Sequence, residues 1–163
     1  MPELPEVENI ARGLRSEVVN LCIEKIYIHK PLIVRGPFQP HQQQVAKALQ
    51  NARITAVTRR GKRLIILTDK DLSLLIQLGM TGKFILADPS APAEKHTHFS
   101  IKLSNNNDLR FIDPRRFGRL WFFKPLDGNL DKSMQEAGLS QMGPEPFRFR
   151  PSQFHQLLQN QRL

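Results

Sequence analysis

Between residues 53 and 123 the chain is a succession of short apolar segments separated by turn residues, and no other feature restricts the fold as strongly. Ile54, Ala56 and Thr58 fall on one side of an extended segment, and Arg60-Gly61-Lys62 then turns into Leu64-Ile65-Ile66-Leu67. Residues 72–78 and 83–86 follow, separated by Gly79-Met80-Thr81-Gly82. Residues 99–103, a polar turn at 105–108 and residues 109–112 read as a hairpin, and residues 120–123 supply a further strand. Strands this short, spaced by turn signals, favour a β-sandwich or barrel over an alternating α/β sheet.

Helical periodicity flanks this block. Val7, Ile10, Ala11, Leu14 and Val18 recur on one face, with Pro5 suited to the first turn and the pattern ending near Asn20. Glu6 and Glu8 lie at the positive end of that helix. Residues 22–30 alternate, with Ile26 and Ile28 opposite Lys25 and Tyr27, as a strand does. Residues 31–40 read as a loop, and Val45, Ala46 and Leu49 mark a second, short helix. Another short helix is expected over residues 130–137, ending at Gly138, before the stiff connection Gly143-Pro144-Glu145-Pro146. Residues 151–163 begin a helix whose apolar face (Phe154, Leu157, Leu158) needs a partner, because isolated helices of this length are marginal in water.

A chain of 163 residues can bury one core. Its 24 Lys and Arg against 15 Asp and Glu give a net charge of +9, which favours a polyanionic partner, nucleic acid before an anionic membrane surface. No apolar run approaches the roughly 18–20 residues of a membrane span, so no membrane partner is expected. No basic segment followed by an apolar core marks a secretory signal, and the chain reads as cytoplasmic. Cys22, the one cysteine, permits no internal disulfide and cannot alone build a structural zinc site.

Five stations carry candidate chemistry, each with a plainer reading beside it. The opening Pro2-Glu3-Leu4-Pro5-Glu6-Val7-Glu8 is either a polar lead-in to the first helix or, once Met1 is removed, a terminal secondary amine with carboxylates beside it. Such an amine has an ordinary pKa of about 7.7–8.0, against about 10.4 for lysine, and its Schiff base is a charged iminium. Glu3 and Glu6 would serve it as general acid and base. Arg59-Arg60-Gly61-Lys62-Arg63 is either a solvated hairpin tip or a phosphate clamp, in which glycine admits close backbone approach. Met80, between two glycines, is a core or turn residue, or an apolar wedge for a base stack. His96-Thr97-His98 has strand spacing for metal ligands but no third ligand nearby. Asp113-Pro114-Arg115-Arg116-Phe117-Gly118 is a basic turn whose phenylalanine either joins the core or enters DNA, with an arginine fork able to read a base edge.

Taken in order, these motifs resemble bacterial formamidopyrimidine-DNA glycosylases, with Leu4 where the related endonuclease VIII branch typically has glycine. Lys95-His96 resembles that family's Lys-His pair, and Gly143-Pro144-Glu145-Pro146 resembles its exit from the catalytic domain. The resemblance implies a mainly β fold with flanking helices: a two-layer antiparallel β-sandwich of about eight strands, an amino-terminal helix and a second packed helix. It implies a catalytic domain over residues 1–125, a connecting segment over 126–150, and the start of a truncated helix–two-turns–helix module over 151–163. The implied activity is base-excision repair by a bifunctional glycosylase and abasic-site lyase acting on 8-oxoguanine and formamidopyrimidines, with a monomer bound to damaged double-stranded DNA. Pro2, Glu3, Glu6 and Lys62 are then the catalytic set. Lys62 and His96 hold phosphates, while Met80, Arg115 and Phe117 fill the gap left by an extruded nucleotide. Full-length members continue with a four-cysteine zinc finger, which this chain lacks, so no metal or cofactor is expected. That difference keeps an alternative in view, a non-catalytic DNA-binding remnant or abasic-site sensor.

Overall fold

A computed structural model describes residues 2–126 and 129–139. Among them are three α-helices and nine strands in two facing sheets. Helix α1 spans Leu4–Val18, with Pro5 in its first turn; Val7, Ala11, Leu14 and Val18 are its buried face. It ends before Asn20, whose φ of 71° is a left-handed conformation that asparagine tolerates. Strand β1 (Ile23–Ile28) follows, then a 3-10 turn (Pro31–Ile33), β2 (Val34–Arg35) and α2 (Gln42–Ala48). The strand block comprises β3 (Ile54–Arg60), β4 (Arg63–Thr68), β5 (Ser73–Gln77), β6 (Lys83–Ala87), β7 (Thr97–Leu103), β8 (Asp108–Ile112) and β9 (Arg119–Phe123). Helix α3 (Leu130–Glu136) closes the described chain, with Gly138 at φ 81° behind it.

One sheet has the order β1-β7-β8-β6 and the other β2-β9-β5-β4-β3. Their inner faces meet in a core that contains Phe99, Phe111, Phe122, Leu64, Ile66, Leu74 and Ile76, all with no exposed surface. Each large side chain buried there is worth about 2–3 kcal/mol of transfer free energy. The outer face of the five-stranded sheet is buried as well. Ile65, Leu75, Trp121 and Phe123 form a second cluster with Met134, Ala137 and Leu139 of the α3 segment. That two-sided burial explains why β4, β5 and β9 read as continuous apolar runs rather than alternating ones. Along the edge strand β3, α1 provides cover, and Arg15 Nε donates to the Val57 carbonyl at 3.0 Å.

The expected sandwich with flanking helices is present, and its details differ in two places. The segment 31–40 contains β2, a two-residue strand parallel to β9 through Val34–Leu120 and Arg35–Trp121. All other strand pairs in both sheets are antiparallel, and a pairing so short and non-local has no periodicity to read. In β3 the inward set is Ile54 and Val57, not Ile54, Ala56 and Thr58, because a bulge between Ile54 and Ala56 reverses the alternation. Gly143-Pro144-Glu145-Pro146 and the expected module at 151–163 lie outside the described residues. No helix among the described residues is long and apolar enough to cross a membrane.

Candidate functional site

The strand registers bring the motifs to one end of the sandwich. Arg63 at the start of β4 pairs with Gln77 at the end of β5, which pairs with Arg119 at the start of β9. Because β2 runs parallel to β9, its start lies at that same end. In the other sheet the start of β6, the end of β8 and the start of β7 meet there through Lys83–Ile112 and Thr97–Ile112. The β3–β4 tip, the 78–82 loop, the 113–118 loop and His96 therefore share one rim.

Helix α1 delivers Pro2 and Glu3 to this rim through two ion pairs with the β3–β4 hairpin. Arg59 Nε donates to Glu8 Oε2 at 2.8 Å, with both side chains largely or mostly shielded. Lys62 Nζ lies 3.2 and 3.3 Å from the two Glu3 carboxylate oxygens, in a more exposed pair. Glu6 turns back to accept the Glu3 backbone N–H at 2.9 Å, which satisfies one of the helix's unpaired amides. Thus Lys62 and Glu3 touch directly beside Pro2, and Glu6 lies against the Glu3 backbone.

The basic hairpin divides its labour. Arg59 is committed to α1, and Arg60 makes a two-pronged contact with Asp131 of α3, at 2.7 and 3.2 Å. Of the expected four-charge clamp, Lys62 is the member whose ammonium joins the Pro2–Glu3 station. Arg59 and Arg60 anchor the two helices that flank the tip. The sequence placed Glu8 only in the opening motif and did not mark Asp131, since each lies far along the chain from its partner.

Met80 and Phe117 are about half exposed (46% and 47%) in a molecule whose other large apolar side chains are mostly interior. The Arg115 guanidinium lies 5.3 Å from the Phe117 ring centroid. These two loops are locked back to back. A Cβ on Gly79 would come 2.7 Å from the Gly118 nitrogen, and Gly79 has φ 70°. Between the loops sits Asp113, with no exposed surface. Its Oδ1 accepts from Thr81 Oγ1 at 2.6 Å and its Oδ2 from the Gly118 N–H at 2.7 Å. Burial pushes the Asp113 carboxyl pKa up, but hydrogen bonds from Thr81, Gly118 and Arg115, with His98 nearby, outweigh burial and hold it below the ordinary value. The sequence showed Asp113 only as part of its hexamer; its partner Thr81 carried no signal at all.

His96 and His98 separate in role. His98 is buried and its Nε2 lies 2.8 Å from the Asp113 carbonyl, where it donates. His96 is half-buried at the rim, in a left-handed conformation with φ 70°. Its carbonyl accepts from the Asp113 N–H at 3.1 Å. Among the described residues no three His, Cys, Asp or Glu side chains gather as a metal site.

Arg110, on β8, has a structural task that no motif indicated. Its guanidinium is buried and donates to the carbonyls of Asp88, Ala91 and Pro92 at 3.1, 2.8 and 3.0 Å, with Glu94 and Asp108 at 3.4 Å. It therefore fastens the loop that leads into Lys95 and His96.

The family model for the formamidopyrimidine-DNA glycosylase N-terminal domain matches residues 1–120. A formamidopyrimidine-DNA glycosylase of Latilactobacillus sakei is 36% identical over 161 residues, covering 98% of this chain and 55% of the relative. The corresponding protein of Desulforamulus reducens is 38% identical over 148 residues, covering 90% of this chain and 50% of its own length. Among solved structures, the Lactococcus lactis protein in complex with DNA containing N7-benzyl-Fapy-dG superposes with a TM-score of 0.68 at 36% identity, over 76% of this chain and 44% of that one. A related protein in complex with DNA containing carbocyclic 8-oxo-G gives a TM-score of 0.69 at 37% identity, over the same shares. The chain spans about half the length of the curated relatives it matches.

Proposed function

Because the chain belongs to the formamidopyrimidine-DNA glycosylase family through its amino-terminal domain, we propose that it works in base-excision repair on double-stranded DNA. Its substrates are oxidised purines such as 8-oxoguanine and formamidopyrimidines, and it acts as glycosylase and abasic-site lyase. The observation that carries this reading is the shared rim: Pro2, Glu3 and Lys62 at one station, and half-exposed Met80, Phe117 and Arg115 at the next. The relatives' complexes with damaged DNA support the same substrate class.

With Met1 removed, the Pro2 nitrogen attacks C1′ of the lesion's deoxyribose as the bond from C1′ to the base breaks and the base leaves with a proton. Opening of the sugar ring transfers a proton from Glu3 to the ring oxygen and leaves an iminium at C1′. The iminium acidifies C2′, whose proton a carboxylate removes, and the 3′ phosphate departs; elimination of the 5′ phosphate follows. Glu6 supports the nucleophile through the Glu3 backbone that it already holds. Lys62, 3.2 Å from Glu3, screens that carboxylate and binds a lesion phosphate, and His96 binds another. Met80, Arg115 and Phe117 occupy the gap in the stack, with Arg115 facing the unpaired base.

Borohydride reduction of a mixture with abasic-site duplex tests this reading. A covalent adduct that peptide mapping assigns to Pro2 is expected. Absence of an adduct from protein verified to begin at Pro2, together with retained binding of the duplex, would leave a DNA-binding module without lyase chemistry.

A further inference from the structure

A cavity of about 320 Å³ opens on the rim, on the opposite side of the 113–118 loop from Pro2. Pro31, Leu32 and Ile33 of the 3-10 turn form an apolar wall, and Lys30, Arg35, Arg116 and Arg119 bring four cations. The wall is held in place. The His29 and Lys30 N–H groups both donate to the His98 carbonyl, at 2.9 and 3.1 Å, and β2 is paired to β9 directly behind it. Leu32 is 77% exposed at the cavity mouth.

Several basic side chains elsewhere are neutralised by an acid: Arg59, Arg60, Lys62, Lys102 and Arg110 each face a carboxylate. Among the described residues, none of Lys30, Arg35, Arg116 and Arg119 has an acidic partner. Arg119 Nη1 donates to the Arg116 and Gly118 carbonyls, and Arg35 Nη1 makes one long contact of 3.4 Å to the Val34 carbonyl. Four like charges converging without a counter-ion are complementary to a polyanion. Apolar walls suit the deoxyribose between its phosphates.

Position selects the occupant. The sheet order β3-β4-β5-β9-β2 puts Lys62 at one side of the rim, the Met80 and Phe117 loops at the middle, and this cavity at the other side. From β4 to β2 is three strand spacings, about 14 Å. That is well beyond the width of the minor groove, about 6 Å, and close to that of the major groove, about 12 Å. Resting on the function proposed above, we infer that this cavity is a docking site for the sugar–phosphate backbone of the strand opposite the lesion. The rim thus grips both strands, Lys62 on the damaged one and Lys30 and Arg35 on the intact one, with the wedge residues between them.

The test compares wild-type protein with the double variant Lys30→Gln, Arg35→Gln, using fluorescence anisotropy over a salt series. The probes are a duplex with one abasic site and the abasic strand alone. The variant should lose about tenfold or more in affinity for the duplex, and its log–log salt slope should fall by about 1 to 2. Its affinity for the single strand should stay within about twofold of wild type. A control pair on another face, Lys25→Gln with Lys47→Gln, removes the same charge and should change the duplex and the single strand alike. A second arm needs no variant: methylphosphonate linkages in the intact strand, across from the lesion, should weaken wild-type binding and should weaken the double variant no further. Equal losses on duplex and single strand would overturn the assignment. So would indifference of the wild type to neutral linkages in the intact strand. Either result leaves the proposed function standing, whereas wild-type protein that binds neither probe overturns both.

Discussion

Asp113 serves two loops with one carboxylate. Thr81 Oγ1 and the Gly118 N–H reach its two oxygens, so the loop bearing Met80 and the loop bearing Arg115 and Phe117 share a single buried acceptor. A carboxyl whose folded pKa lies below its unfolded value of about 3.9 adds stability above that pH and loses it as pH falls through the folded pKa. Asp113→Asn should therefore unfold more easily at pH 7, by about 1–3 kcal/mol. Its deficit relative to wild type should shrink as pH falls below about 4, which denaturant titrations from pH 7 to 3 would show. Beside Pro2, Lys62→Ala should slow borohydride trapping on abasic DNA about 10- to 100-fold, because it removes both the cation against Glu3 and a phosphate contact. An unchanged trapping rate would count against both roles. Pro2 and Lys62 stood out in the sequence because each belongs to a local motif, the opening Pro-Glu and the basic turn at Gly61. Thr81 did not, because a threonine's role depends on what folds against it.

At the scale of elements, the glycine between the two loops is the tightest point. Gly79→Ala would place a methyl 2.7 Å from the Gly118 nitrogen at a backbone angle that disfavours a side chain. The two loops should separate, at a cost of about 1–3 kcal/mol, and abasic-DNA affinity should fall together with the unfolding midpoint. Arg110 makes a comparable demand on the 88–94 loop. Arg110→Met would strand three carbonyls that the guanidinium now satisfies. A loss of about 2–4 kcal/mol is expected, with amide exchange accelerating first in residues 88–96. The strands themselves were legible as apolar segments. The bulge in β3 and the two-residue β2 were not, because each exists only through a register with another strand.

Across the whole molecule, net charge and its placement act together. A charge of +9 predicts polyanion binding of some kind, but the folded arrangement sorts those charges. Arginines 59, 60 and 110 are turned inward to build the frame. Lys30, Arg35 and Arg116, at the rim, face no carboxylate among the described residues. Affinity for duplex DNA should consequently fall steeply with salt, about 10³-fold between 50 and 200 mM if six phosphates are engaged. A flat response in the same anisotropy series would count against the interface.

The sequence by itself determined the classes of element and the identity of the chemical groups. Apolar periodicity, turn residues and an opening Pro-Glu are local properties of a chain, and each survives without knowledge of its neighbours. Only the tertiary structure decided which charges face solvent and which face a carboxylate, since Arg59–Glu8 and Arg60–Asp131 join residues 51 and 71 positions apart. It also decided that stations scattered from Pro2 to Phe117 would form one rim. That depends on strand order and register, which follow from how two sheets bury their inner faces together and are written in no single segment.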